Sequence, residues 1–168
     1  MSPEAICRRL GETKVKEMFL GLTTDGMKKV LREAKIPLTR LASHTSIRRR
    51  NDDWAAKLWR MLVEKPLTGA AATLLFEWLT RTRRPMLAEF LTGIEVQHEG
   101  GLTDADFMTT TPPEKLQEVG KKLLDRFAKD EVAAYLLFLD ASNKSEVFVP
   151  LELEQHFDPA TAAAAQAT

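Results

Sequence analysis

The sequence has little of what marks small secreted, zinc-binding or membrane proteins. It has one cysteine among 168 residues, so neither an intramolecular disulfide nor a zinc site built from paired cysteines can form. It also has no apolar run near the roughly 18 residues that a transmembrane helix needs. The first ten residues contain no apolar stretch of signal-peptide length. We therefore expect a cytoplasmic protein in a reducing compartment, with no membrane partner.

The motifs that identify common enzymes by sequence are absent as well. There is no glycine-rich phosphate loop, no dinucleotide-binding fingerprint, no nucleophile elbow and no His-Glu-x-x-His pair. The sequence therefore names no catalytic residue, and it leads us to expect no metal and no cofactor. An enzyme whose residues are scattered along the chain stays open as an alternative, although a non-enzymatic protein is favoured.

What is present is the composition of an ordinary globular protein, with 44% hydrophobic and 29% charged residues. A chain of this length is typical of one compact domain. We expect that domain to cover residues 1–158. Residues 159–168 are rich in alanine and poorly capped, so we expect a disordered tail there.

Helical periodicity dominates, and glycine and proline divide the chain into amphipathic segments. These segments lie at 2–10, 14–20, 26–34, 51–65, 69–80, 85–93, 112–127, 130–139 and 150–157, with a further turn or short helix at 38–42. The pattern predicts an all-α bundle of about eight short-to-medium helices. Residues 94–98 alternate with period two, and Val147-Phe148-Val149 is the other strand-like run, which together allow at most a minor two-stranded ribbon.

A weak internal similarity links two predicted helix pairs. Leu74-Leu75-x-x-Trp78 opens a pattern that Leu123-Leu124-x-x-Phe127 repeats, at a spacing near that of helix-pair repeats. Two related helix hairpins would explain it, and so would two ordinary amphipathic hairpins that share one core.

The zero net charge of the chain hides a strong segregation. Residues 1–84 carry 18 basic and 9 acidic side chains, whereas residues 85–168 carry 6 basic and 15 acidic ones. The first region is therefore at +9 and the second at −9. Such asymmetry indicates either a polyanionic ligand or an acidic partner surface. It also suits attraction between the two regions, within one chain or between two copies of it.

Arginine clusters are the first candidate binding residues. Arg48, Arg49 and Arg50 lie in a polar stretch that we expect to be a loop ahead of a helix beginning near Asn51. Guanidinium groups there could bind phosphate through paired hydrogen bonds. A second cluster, at a predicted helix end, consists of Arg81, Arg83 and Arg84. Its alternative role is to hydrogen-bond the last carbonyls of that helix.

Two further groups are candidates for chemistry. His98 stands beside a glycine pair and three acids, Glu99, Asp104 and Asp106, which together could form an active or cation-binding site. The acids equally suit the first turn of a helix. Cys7 likewise has two interpretations. Neighbouring arginines could activate its thiol, or Cys7 could be a small buried apolar residue.

Aromatic residues off the main apolar stripes are candidate contact residues. Trp59, which has basic neighbours, is either a partner contact or part of a helix buried on two sides. Phe138 and Phe148 are either core or docking residues. We rank a protein-binding or self-associating module first, a nucleic-acid or phosphate binder second, and an enzyme built around His98 third.

Overall fold

The structure, a computed structural model, describes residues 1–38 and 46–158. Within those ranges the chain is an all-α bundle, and the predicted fold class is confirmed. Its α-helices are α1 (Pro3–Leu20), α2 (Thr24–Glu33), α3 (Ile47–Glu64), α4 (Thr68–Thr82), α5 (Arg84–Gly93), α6 (Phe107–Thr110), α7 (Pro113–Arg126) and α8 (Lys129–Asn143). Two 3₁₀ helices follow, at Val149–Leu151 and Leu153–His156. Most of the predicted turn at 38–42 and the predicted tail at 159–168 lie outside the described residues.

Local sequence explains where the first helices bend and begin. The backbone of Gly11 has φ of 83°, in the region that favours glycine, so the helical conformation is interrupted there within α1. The interruption lies where the sequence predicts one helix to end and the next to start. Thr23 caps α2, because its hydroxyl oxygen accepts a hydrogen bond from the backbone nitrogen of Gly26 at 3.2 Å.

Two local predictions are wrong, and the minor ribbon that the sequence allows does not form in the described residues. The helix predicted to begin near Asn51 begins at Ile47, because the Ser46 hydroxyl accepts a hydrogen bond from the Arg49 backbone nitrogen and caps it. The predicted last helix is two 3₁₀ turns, separated by Glu152 in a left-handed conformation. No ribbon forms in the described chain, because residues 149–151 are helical and only Glu99 and Leu102 form a β-bridge.

The central helices of the bundle are α1, α4 and α8. α1 packs on α3, α4 and α8, and α4 also packs on α2 and α5. α7 packs on α5, α8 and the first 3₁₀ helix. One hydrophobic core runs through these contacts, from Ile6 in α1 to Phe157 near the end of the described chain. Among the described helices, none is both long and apolar enough to cross a membrane.

Glu77 in α4 is buried, and two cations hold it. Its carboxylate accepts hydrogen bonds from Lys29 Nζ at 2.8 Å and from Arg81 Nε at 2.6 Å. The hydrogen bonds from Arg81 and Lys29 lower the pKa of Glu77 below its ordinary value. The pair with Lys29 ties α2 to α4.

Glu131 in α8 joins the two oppositely charged regions of the chain. It accepts two hydrogen bonds from the Arg83 guanidinium, both at 2.6 Å, and one from Lys14 Nζ at 2.5 Å. Burial alone would raise the pKa of Glu131, but the hydrogen bonds from Arg83 and Lys14 outweigh burial and lower it. Arg9 and Glu154 form a further ion pair between the regions, at 3.4 Å. The complementary charges thus meet within one chain.

Acid should weaken the fold through these two carboxylates. Each of these carboxyl groups has a lower pKa in the folded state than in the unfolded state. Its stabilising effect is therefore complete above the unfolded-state pKa of about 4.3 and is lost as the pH falls below that value. We expect urea unfolding to show a declining free energy of unfolding between about pH 5 and pH 3. The double variant Glu77→Gln/Glu131→Gln should be less stable than the wild type at pH 7 and should lose less on acidification. An equal decline in both proteins would contradict this assignment.

Candidate functional site

A groove of about 670 Å³ lies between α4, α5, α8 and the segment 99–107. α4 and α8 line it with side chains at helical spacings i, i+3 and i+4, which places each set on one helix face. α5 and the segment 99–107 complete it. The apolar lining residues are Phe76, Leu79, Leu87, Leu91, Leu102, Phe107, Phe138 and Leu139. The other lining residues are Thr80, Arg84, Glu99, Gly101, Thr103, Asp104 and Tyr135.

Two apolar residues of the groove are open to solvent. Phe76 on α4 is 56% exposed and Leu102 is 37% exposed. Single exposed apolar side chains are common on protein surfaces, but here they border a concave apolar surface. The groove is therefore an apolar surface without an intramolecular cover in the described chain.

Phe90 supports the groove from inside the core. It is fully buried, and its ring meets the rings of Tyr135, Phe107 and Phe148 edge to face at centroid distances of 5.4, 6.1 and 6.3 Å. Tyr135 and Phe107 are themselves groove residues. Burial raises the pKa of Tyr135 and keeps its phenol neutral. The shape of the groove thus depends on one central aromatic ring.

A tight turn at residues 98–102 forms one edge of the groove. Glu99 and Leu102 exchange backbone hydrogen bonds of 2.8 and 3.1 Å. His98 Nδ1 accepts a hydrogen bond from the Gly101 backbone nitrogen at 3.2 Å, and its Nε2 lies 2.9 Å from Thr92 Oγ1. These two hydrogen bonds fix the orientation of the His98 ring against the turn and against Thr92.

Gly101 lets this turn lie directly on α5. Its φ is +88°, and a Cβ there would lie 2.7 Å from the Arg84 backbone oxygen and 3.0 Å from the Ala88 nitrogen. We expect Gly101→Ala to lower the free energy of unfolding by about 2–3 kcal/mol, because backbone strain and overlap with a fixed backbone add up. Gly100→Ala is the matched control: the nearest atom to its Cβ is a side-chain nitrogen of Arg84 at 3.5 Å.

Urea unfolding of both glycine variants tests this close approach. The Gly100→Ala variant should lose only about 1 kcal/mol, the cost of a left-handed conformation. Equal losses in the two variants would show that the contact with α5 does not constrain the turn.

The residues of the predicted cluster around His98 border different depressions in the structure. Glu99 and Asp104 line the groove, whereas His98 borders a shallow depression with Thr92 and residues 95–97. Within residues 1–38 and 46–158, no group of three or more His, Cys, Asp and Glu side chains could hold a metal ion. The hydrogen bonds of His98 give it a structural role in the turn.

The second arginine cluster forms bonds within the bundle. Arg81 pairs with Glu77, and Arg83 pairs with Glu131 while its guanidinium carbon lies 5.1 Å from the Trp78 ring centre. Arg84 donates from Nε to the Thr80 backbone oxygen at 2.8 Å. The three side chains stabilise the end of α4 and its contacts with α8, and only Arg84 reaches the groove.

The first arginine cluster lies in the first turn of α3, not in the predicted loop. Arg48 and Arg49 are exposed, and neither forms an ion pair with any residue that the structure describes. The Arg50 guanidinium lies 4.6 Å from the Trp54 ring centre, within cation–π range. Positive charge at a helix N-terminus opposes the helix dipole, so the cluster is locally unfavourable for α3.

The remaining aromatic candidates divide between core and groove. Trp59 packs partly buried against the core, with no share in the groove. Phe148 is a fully buried core residue, whereas Phe138 lines the groove. Phe76 is a groove residue that no sequence pattern singled out. It lies off the apolar stripe of α4, and a large apolar side chain off such a stripe was the signal that could have identified it.

Cys7 is a core residue. Its side chain has no solvent exposure, and burial raises the pKa of its thiol to about 12. The thiol therefore stays protonated at neutral pH, and the interpretation as a small buried apolar residue fits.

Comparison with known proteins adds no relative. No protein-family model matches the chain, and neither a curated protein nor a solved structure is significantly similar to it.

Proposed function

We propose that the protein is a binding module for another protein, and that the groove between α4, α5, α8 and the segment 99–107 is its contact surface. The observation that carries the proposal is the apolar groove itself, with Phe76 and Leu102 exposed at its border. Burying such side chains against a partner removes apolar surface from water, at about 25 cal/mol per Å². Interface centres are enriched in the aromatic residues that this groove contains.

The proposed contact surface is the groove and not the charge-segregated surface that the sequence favours. Several of the complementary charges pair inside one chain, at Glu131 and at Glu154. Charges satisfied in this way gain little from a second molecule. An apolar contact with a partner does not depend on them.

Site-directed photo-crosslinking in the cells that produce the protein tests this function. A photoreactive benzoylphenylalanine at position 102 should give discrete protein adducts, and Phe76→Ser in the same chain should abolish them. Phe76 is more than half exposed, so that change should leave stability nearly unaltered. Position 149, where Val149 is 63% exposed outside the groove, is the control. The same adducts from both positions, or adducts that survive Phe76→Ser, would refute the proposal.

A second candidate function, binding of nucleic acid or another phosphate ligand, draws on the first turn of α3. Arg48 and Arg49 are exposed there. Their positive charge interacts unfavourably with the dipole at the start of the helix, and phosphate contacts would offset that cost. The other arginine cluster bonds within the bundle, so the supporting charge is smaller than the sequence indicates. Salt-dependent binding of a fluorescent oligonucleotide that Arg48→Ala/Arg49→Ala removes would favour this candidate.

A further inference from the structure

We infer that the occupant of the groove is an amphipathic helix of a partner protein, apolar on the face it buries and basic at its flanks. The inference rests on the proposed function and adds the chemistry of the partner.

The lining favours side-chain contacts over backbone contacts. The Thr80 hydroxyl donates to the Phe76 backbone oxygen at 2.7 Å, and Arg84 Nε donates to the Thr80 backbone oxygen. The Thr80 hydroxyl and Arg84 Nε are thus engaged by backbone oxygens of α4. An extended or polyproline segment offers unpaired carbonyl groups that need donors, whereas a helix satisfies its own backbone. An apolar groove between helices therefore suits a helix with anchors at i, i+3 or i+4, and i+7.

The border of the groove is acidic on one side. Residues 95–111 contain four acids and no lysine or arginine. Glu95 pairs with Lys115 at 3.0 Å, but Glu99, Asp104 and Asp106 are exposed and form no ion pair within the described chain. These three side chains are called the acidic border below: Glu99 and Asp104 line the groove, and Asp106 directly precedes the groove residue Phe107.

The acidic border determines which partner approaches. Arg84 is the one basic side chain among the groove residues that the structure describes, so the acids outnumber it. Basic flanks on a partner helix would face the acidic border, whereas acidic flanks would be repelled. Charge at an exposed border governs the choice of partner and the association rate, while the apolar anchors supply most of the affinity.

A display library separates this inference from the proposed function. The library presents linear peptides that are randomised at every position. It is selected on the wild-type chain and counter-selected on Phe76→Ser. We expect the enriched peptides to be helical and of positive net charge. Neutralising the acidic border (Glu99→Gln, Asp104→Asn and Asp106→Asn together) should weaken their binding about tenfold.

The other results overturn the inference in distinguishable ways. Enriched peptides of neutral or negative charge, or an unaffected triple variant, would refute the basic partner and leave the groove as a binding site. Enrichment of proline-rich peptides would refute the helix. If the chain self-associates as its concentration rises, and if Phe76→Ser removes this self-association, the occupant of the groove is a second copy of the chain. If no peptide is enriched in a manner that depends on Phe76, both the inference and the proposed function are refuted.

Discussion

Phe90→Ala should lower the free energy of unfolding by about 3–5 kcal/mol and should also abolish binding at the groove. The stability loss follows because a fully buried aromatic side chain leaves a cavity that its neighbours only partly fill. Binding is lost because Tyr135 and Phe107 contact the Phe90 ring and also line the groove. Without that ring, both groove residues lose the contact that positions them.

Urea unfolding and peptide affinity, measured on the same variants, test this coupling between core and groove. Phe90→Leu is the matched control, because it keeps an apolar side chain and should cost only about 1–2 kcal/mol. It should retain most of the affinity. An unchanged affinity in a folded Phe90→Ala protein would show that the groove does not depend on the aromatic centre.

Asp140→Ala should lower the free energy of unfolding by about 3–4 kcal/mol. Asp140 is buried in α8, and its Oδ1 accepts hydrogen bonds from the Ser145 hydroxyl at 2.7 Å and the Val147 nitrogen at 3.0 Å. Its Oδ2 accepts one from the buried Phe148 nitrogen at 3.0 Å. Alanine would leave these donors without partners in the protein, and each unsatisfied buried donor costs about 1–3 kcal/mol.

Two control variants distinguish the effect of losing hydrogen-bond acceptors from the general effect of removing an acidic charge. Asp140→Asn keeps one acceptor oxygen and should lose less stability than alanine. Asp125→Ala removes an exposed acid of α7 and should change the free energy of unfolding by less than about 0.5 kcal/mol. If Asp140→Ala cost no more than Asp125→Ala, the loop at 145–148 would not depend on this carboxylate.

Sequence patterns predicted the helices well because periodicity and helix breaks are local signals. Gly11 interrupts α1, and the apolar faces of α5 and α7 lie where the 3.6-residue period places them. The start of α3 was predicted too late because Asn51 and the acids after it resemble a strong cap, whereas three arginines look unsuited to a first turn. Capping by Ser46 outweighed that local conflict.

The groove could not be predicted, because it depends on how α4, α5 and α8 pack together. Phe138 and Phe148 carry equivalent signals in the sequence, yet one borders the groove and the other is buried core. The two arginine clusters differ in their contacts for the same reason. Arg83 of the second cluster bonds to Glu131, which lies 48 residues away in the sequence. Side-chain pairs at such distances are set by tertiary packing, which no local pattern encodes.

Nuclear magnetic resonance tests the central claim most directly, with ¹⁵N and methyl labels in the full chain and the enriched basic helical peptide as the titrant. Binding in the groove predicts shifts concentrated on Phe76, Leu102, Phe107 and Phe138, and no such shifts in the Phe76→Ser protein. Shifts centred on α3, with the groove signals unmoved, would contradict the account.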